Sequence, residues 1–137
     1  MSVDFDFSDR VALVTGASGA LGSAVAETFR DAGATVAASD VVEPESEDAL
    51  LDTAGDVHFY EGDFTDEDAV AEVVDAVVAD HGRLDYLLNI AGTWRGGSPI
   101  EETDVSSFAL VMAVNLTTIL LASNRATPNI KDNACAV

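Results

Sequence analysis

The residues best suited to chemistry in this chain are the small ones of Thr15-Gly16-Ala17-Ser18-Gly19-Ala20-Leu21-Gly22. They follow an apolar run of strand length, Val11-Ala12-Leu13-Val14, and open a helical pattern. That is the setting a phosphate-binding turn requires. Glycines let the backbone come close to a diphosphate, and the start of a helix offers it free N–H groups and a partial positive charge. Outside that setting the same glycines would be no more than a tight turn. Within it, Gly16, Ser18, Gly19, Ala20, Leu21 and Gly22 are candidate contacts to a dinucleotide. Asp40 closes a second predicted strand, Thr35–Asp40, near the offset at which an acid meets the adenosine ribose. A carboxylate there can accept both ribose hydroxyls. A 2′-phosphate about 4 Å away would meet a cost of roughly 1–4 kcal/mol, and no arginine adjoins Asp40 to offset it. The expected cofactor is NAD, with NADP disfavoured; the plain alternative is one more solvated acid in an acid-rich chain.

Other constellations carry less. Asp63, Asp66 and Asp68 crowd together but lack the glycine and the twelfth-position glutamate of a calcium loop, so no metal is expected. His58 and His81 show no spacing to each other or to Cys135 that suggests ligands or a catalytic pair. His58 reads as a strand residue and His81 as a helix-end cation favoured by the dipole. Cys135 is the only cysteine, which excludes an internal disulfide. Trp94 and Arg95 lie in a glycine-rich loop and are candidate substrate contacts, against a default of loop packing.

Apolar runs alternate with amphipathic stretches, the pattern of parallel βαβ units. Leu21, Val25, Phe29 and Ala32 line one helical face, with Gly33 placed to end it. A short acidic helix is expected over 46–54, and a third strand at Val57–Tyr60. Val70, Val73, Val74, Val77 and Val78 form an unbroken helical stripe, with Thr65 and Asp68 at capping-box spacing before it and Gly82 after it. Tyr86–Ile90 reads as a fourth strand, residues from about 104 to 126 as a long helix, and Ala134–Val137 as the opening of a fifth strand. The expectation is one domain over 1–137, a doubly wound α/β sheet lacking its C-terminal strands. The fourth strand would then lie at an exposed apolar edge.

The chain has 137 residues, of which 48% are apolar, enough for one buried core. Its 25 acids against six Lys and Arg give a formal charge of -19. Such a surface repels nucleic acid and anionic membranes, and it resembles that of proteins from salt-loving organisms, where salt screens self-repulsion. No residue from Val105 to Asn124 is charged, but serines, threonines and Asn115 interrupt the stretch, which argues against a membrane span. The N-terminus lacks a signal-peptide pattern, and the cytoplasm is the expected location.

Four segments together resemble the short-chain dehydrogenase/reductase family. Thr15–Gly22 is similar to its glycine motif, with Ala20 in place of the second glycine of TGxxxGxG. Gly62-Asp63-Phe64-Thr65 resembles its acidic turn after the third strand, which implies that Asp63 and the Phe64 backbone edge the adenine. Asn89-Ile90-Ala91-Gly92 resembles its NNAG motif with Ile90 for the second asparagine. By that likeness Asn89 ties the central strands together, while Ala91 and Gly92 border the cofactor. Val114-Asn115-Leu116 resembles the segment holding the family's catalytic asparagine, here Asn115. A lone amide in an apolar stretch also needs hydrogen-bond partners on its own account.

The resemblance covers the N-terminal half of the family. Its serine and its tyrosine with a lysine four places on have no counterpart here: Tyr60 is followed four places later by Phe64 and Tyr86 by Ile90, while Lys131 has Thr127 at the tyrosine position. Without positioned acid–base help the rate falls by about 10²–10⁴, so the chain alone is expected to be inactive. The implied function is an NAD-dependent oxidoreductase acting on a carbonyl or alcohol. The alternatives are a non-catalytic NAD-binding module and an inactive gene fragment. The long helix over 104–126 would leave an apolar face uncovered; in the family it helps form a dimer, so self-association is expected.

Overall fold

The structure is a computed structural model that describes residues 3–137, with the backbone alone described over 131–136. The readings at Met1-Ser2 and at the side chains of Lys131 and Cys135 lie outside the described residues. Five strands, β1 (Val11–Thr15), β2 (Thr35–Asp40), β3 (Val57–Glu61), β4 (Leu84–Leu88) and β5 (Ile130–Ala136), form one parallel sheet in the order β3-β2-β1-β4-β5. Its helices are α1 (Ala20–Asp31), α2 (Glu67–His81), α3 (Val105–Met112) and α4 (Thr118–Ala126). The doubly wound fold expected from the sequence is the one observed.

Both faces of the central strands are covered, which is why their sequences are apolar without alternation. Leu13 and Ala37 face Val70, Val73, Val74 and Val77 of α2 and Ala122 and Ala126 of α4. Val14, Val36 and Ala38 face Ala26 of α1 together with Leu51. Each buried valine of the α2 stripe contributes roughly 1.5–3 kcal/mol of apolar burial.

Several local expectations shift for identifiable reasons. The first turn of α2 is capped by Asp66, which accepts from the N–H groups of Asp68 and Ala69. Thr65 lies one residue before the cap position, and its own N–H and hydroxyl donate to Asp63. Helix α1 buries Gly22, Ser23 and Ala26, leaving Leu21 exposed. The acidic segment over 46–54 is a bend and a turn followed by irregular chain instead of a helix. It is held from outside by the Leu50 N–H on the Ser18 carbonyl at 2.8 Å and by Arg30 on Asp52 at 3.1 Å.

The fifth strand begins at Ile130 and pairs with β4, so β4 is interior and not the bare edge the sequence suggested. The long helix expected over 104–126 is continuous but not uniform. Between α3 and α4 lies a π-helical turn, Ala113–Thr117, with Asn115 at its centre. Its outer side is bare, with Phe108 60% and Leu120 64% exposed. The run Val105–Asn129 is long and apolar enough to cross a membrane, although Thr118, Ala122 and Ala126 are buried against the rest of the chain.

Candidate functional site

Beyond the C-terminal ends of β1 to β4 opens a crevice of about 530 Å³, a size ordinary for small-ligand sites. It lies at the switch point of the strand order, where open α/β sheets place their ligands. Gly16, Gly19, Ala20, Leu21 and Gly22 form one wall, Asp40 and Val41 the next, then Gly62 to Thr65, and Ile90 to Gly92 the last.

The crevice exists because two loops approach unusually closely. Gly16 has φ +64, and a Cβ on it would stand 2.7 Å from Ala91 Cα and 2.8 Å from Ala91 N. A Cβ on Gly22 would collide with the Gly16 carbonyl, so the start of α1 can rest directly on the turn. Thr15, at the end of β1, closes the floor. Its Oγ1 accepts from the N–H groups of Ile90 and Ala91, both at 3.1 Å. Those two residues are thereby taken out of the ladder, which is why β4 ends at Leu88 and not at Ile90. Thr15 is a site residue the sequence reading passed over, although it stood first in the glycine motif.

No Lys or Arg is among the residues lining the crevice. The N–H groups of Ala20, Leu21 and Gly22 precede the first intrahelical bond of α1, Ser23 N–H to Gly19 O at 2.9 Å, and have no acceptor within the helix. They supply the donors and the dipole end that a diphosphate needs. On the far wall, the Thr65 hydroxyl and N–H hold the Asp63 carboxyl below the usual carboxylate range, so it stays an anion. Phe64 is buried under it.

Most of the expected contacts are brought together here: Gly16, Gly19, Ala20, Leu21, Gly22, Asp40, Asp63, Phe64, Ala91 and Gly92 all line the crevice. Two do not. Ser18 is buried, with its hydroxyl donating to the Val42 carbonyl at 2.6 Å. Asn89 sits behind the wall, its N–H donating to the Val137 carbonyl at 2.7 Å and its amide reaching Ser123 of α4 at 3.5 Å. Val114, beside Asn115 in the quoted segment, also lines the crevice, as do Leu110 and Thr118 of the long helix, which no sequence signal indicated. Asn115 stands next to the Gly92 wall, where a Cβ on Gly92 would lie 2.8 Å from its Oδ1. Trp94 is 81% exposed, and Arg95 borders a separate cleft with Ser98, Glu102 and Ser107; neither reaches the crevice.

His58 lies in β3 and His81 at the end of α2, as expected. The rings of His58 and His81 lie 4.8 Å apart on the outer side of β3 and α2. Burial and the neighbouring His58 push the His81 pKa down, despite Asp80 and Asp56, so the helix-end cation expected there is disfavoured. Among the described residues no group of His, Cys, Asp and Glu is arranged to hold a metal.

Comparison with known proteins agrees with this geometry. The family model described as short chain dehydrogenase matches residues 10–136. The chain is 36% identical over 122 residues to cis-4-hydroxycyclohexanecarboxylate dehydrogenase of Sinomonas cyclohexanicum, covering 88% of this chain and 49% of that protein. It is 38% identical over 121 residues to D-threitol dehydrogenase of Mycolicibacterium smegmatis, covering 85% and 46%. The crystal structure of a dehydrogenase/reductase from Sinorhizobium meliloti superposes with a TM-score of 0.86 at 31% identity, over 97% of this chain and 54% of that one. The chain thus spans about half the length of the relatives it matches.

Proposed function

The chain belongs to the short-chain dehydrogenase family, whose members are oxidoreductases that bind NAD(P), and from that premise we propose that it binds NAD for hydride transfer between nicotinamide and a carbonyl or alcohol substrate. The observation that carries this reading is the crevice itself: a Gly16 seat too tight for a side chain, open N–H groups at the start of α1, and the Asp40 carboxylate on one wall. The residues present fit a dinucleotide. The Ala20–Gly22 amides would hold its diphosphate, Asp40 its adenosine ribose, and Asp63 with Phe64 its adenine edge.

When bound, the nicotinamide supplies the hydride or accepts it. The chain's own part is to orient that ring and to keep water from it. Asn115 fixes the loop after β4, where Ala91 and Gly92 border the ring's end of the crevice. The preference for NAD rests on Asp40, since a 2′-phosphate would meet its charge at close range. A second copy of the chain is the proposed cover for the bare side of the long helix, and the cytoplasm the proposed location. The acidic surface suits high salt, in which the melting temperature should rise as self-repulsion is screened.

Calorimetric titration with NAD, followed by NADH oxidation against a panel of ketones, tests the reading. Binding with turnover supports the enzyme. Binding without turnover supports a non-catalytic NAD module, and the absence of binding rejects both.

A further inference from the structure

Ser18 lies in the glycine turn yet does not line the crevice, and its polar groups are spent on the end of β2 and the acidic segment that follows it. Its N–H donates to Asp40 Oδ2 at 3.0 Å, its hydroxyl to the Val42 carbonyl at 2.6 Å, and its carbonyl accepts from the Leu50 N–H at 2.8 Å. The residue is 2% exposed. Asp40 in turn uses its other oxygen, Oδ1, to accept from the N–H groups of Val41 at 2.7 Å and Val42 at 3.1 Å. Three backbone donors from two loops therefore converge on one carboxylate.

A cluster of converging N–H groups is a receptor for an anion. Here the anion is the chain's own. We infer that Ser18 is a positioning residue for dinucleotide choice: by clamping the segment after β2 to the glycine turn, it keeps the Ser18, Val41 and Val42 amides filled by Asp40, so that a phosphate on the adenosine ribose finds them already occupied. The inference rests on the dinucleotide reading above and deepens it. Selectivity then has two parts, the charge of Asp40 and the closure of its amide seat, and the second depends on a residue that never touches the cofactor.

The two parts separate by substitution in the full chain. NAD and NADP are each titrated calorimetrically into the wild type, Ser18→Ala, Ser18→Thr and Asp40→Ser, with melting temperatures measured in parallel. Ser18→Ala removes the hydroxyl bond to Val42 while leaving Asp40 and its charge in place. It should weaken NAD several-fold while leaving NADP unchanged or slightly tighter, with Ser18→Thr restoring the wild-type ratio through its hydroxyl. Asp40→Asn, titrated in the same way, removes the charge but keeps an oxygen on the amide seat, whereas Asp40→Ser removes the charge and empties the seat, so the NADP-to-NAD affinity ratio should rise in Asp40→Ser by tenfold or more beyond its value in Asp40→Asn. Should Ser18→Ala fail to fold, that excess in Asp40→Ser decides the matter by itself. Equal weakening of both dinucleotides by Ser18→Ala, or the same shift in Asp40→Ser as in Asp40→Asn, overturns the inference while leaving NAD binding intact. A wild type that binds neither dinucleotide overturns the functional reading and this inference with it.

Discussion

The Asn115 carboxamide binds both backbone groups of Thr93: Oδ1 accepts from the Thr93 N–H at 2.7 Å, and Nδ2 donates to the Thr93 carbonyl at 2.7 Å. An amide is the only side-chain type that can both donate and accept in this spacing. The pair joins the π-helical turn of the long helix to the loop that walls the crevice. π-Turns recur at functional sites, where the widened backbone re-aims a side chain. Asn115→Ala leaves both Thr93 groups without their partner and should lower stability by about 1–3 kcal/mol. Asn115→Asp can accept but not donate, so it should recover only part of that loss. Denaturant melts of both variants, with NAD titrations beside them, check the order wild type, Asp, Ala.

Gly16→Ala should cost more in binding than in folding. The added methyl meets the Ala91 backbone at 2.7 Å and must also sit at φ +64, a strain of about 1–3 kcal/mol. Relief requires the two crevice loops to part, which should weaken NAD by tenfold or more. Gly82→Ala is the control. It shares a positive φ of +76 but has nothing within 4 Å and lies far along the chain at the end of α2. It should lose about 1 kcal/mol of stability and leave NAD affinity unchanged.

The order of elements was legible in the sequence because burial on both faces leaves apolar runs such as Val11-Ala12-Leu13-Val14 unbroken, and the observed β2 has the expected bounds Thr35–Asp40. Where expectation and structure part, a contact distant in sequence decides. Thr15 ends β4 early through bonds to Ile90 and Ala91. Ser18 and Arg30 hold the 46–54 segment away from helix. Three motifs and the strand-end position of Asp40 located ten of the crevice residues, but Leu110 and Thr118 reach it only through the folding back of the long helix. His58 and His81 meet across β3 and α2, a contact that 22 intervening residues conceal.

That histidine pair should give the fold an acid-sensitive edge. His81 has a lowered folded pKa, so the unfolded chain takes up its proton first as pH falls. Its contribution is complete above the unfolded value of about 6.5 and is lost as pH drops from there through the lower folded value. The Tyr60 hydroxyl donates to Asp80 at 2.7 Å and lies 2.9 Å from His81 Nε2, and His58 pairs with Asp56 at 2.7 Å. Melting temperature against pH between 5 and 7 should slope less steeply in His81→Gln than in the wild type. Parallel curves would rule the pair out as the cause.

A second pH window belongs to Asp85. Burial pushes its carboxyl up, but bonds from Arg83, the Val11 N–H and Arg10 outweigh burial and hold it below the usual range. A depressed carboxylate contributes above its unfolded pKa and loses that contribution as pH falls through the folded one, here below about 4. Asp85→Ala removes the acceptor for Val11 and should destabilise by on the order of 3 kcal/mol at pH 7. Asp85→Asn keeps one oxygen and should lose less. Urea melts at pH 7 and pH 3 check both, since the difference between wild type and Asn should shrink at the lower pH.

The central claim is that the mouth of the glycine turn receives a dinucleotide, and a thermal melt reads it most directly. A ligand at a hundred times its dissociation constant stabilises by about 2.7 kcal/mol, which for a chain of this size raises the melting temperature by roughly 8–10 °C. A rise of that size is expected with NAD, and a smaller one with NADP at the same concentration. A folded protein whose melting temperature stays put at millimolar NAD would contradict it.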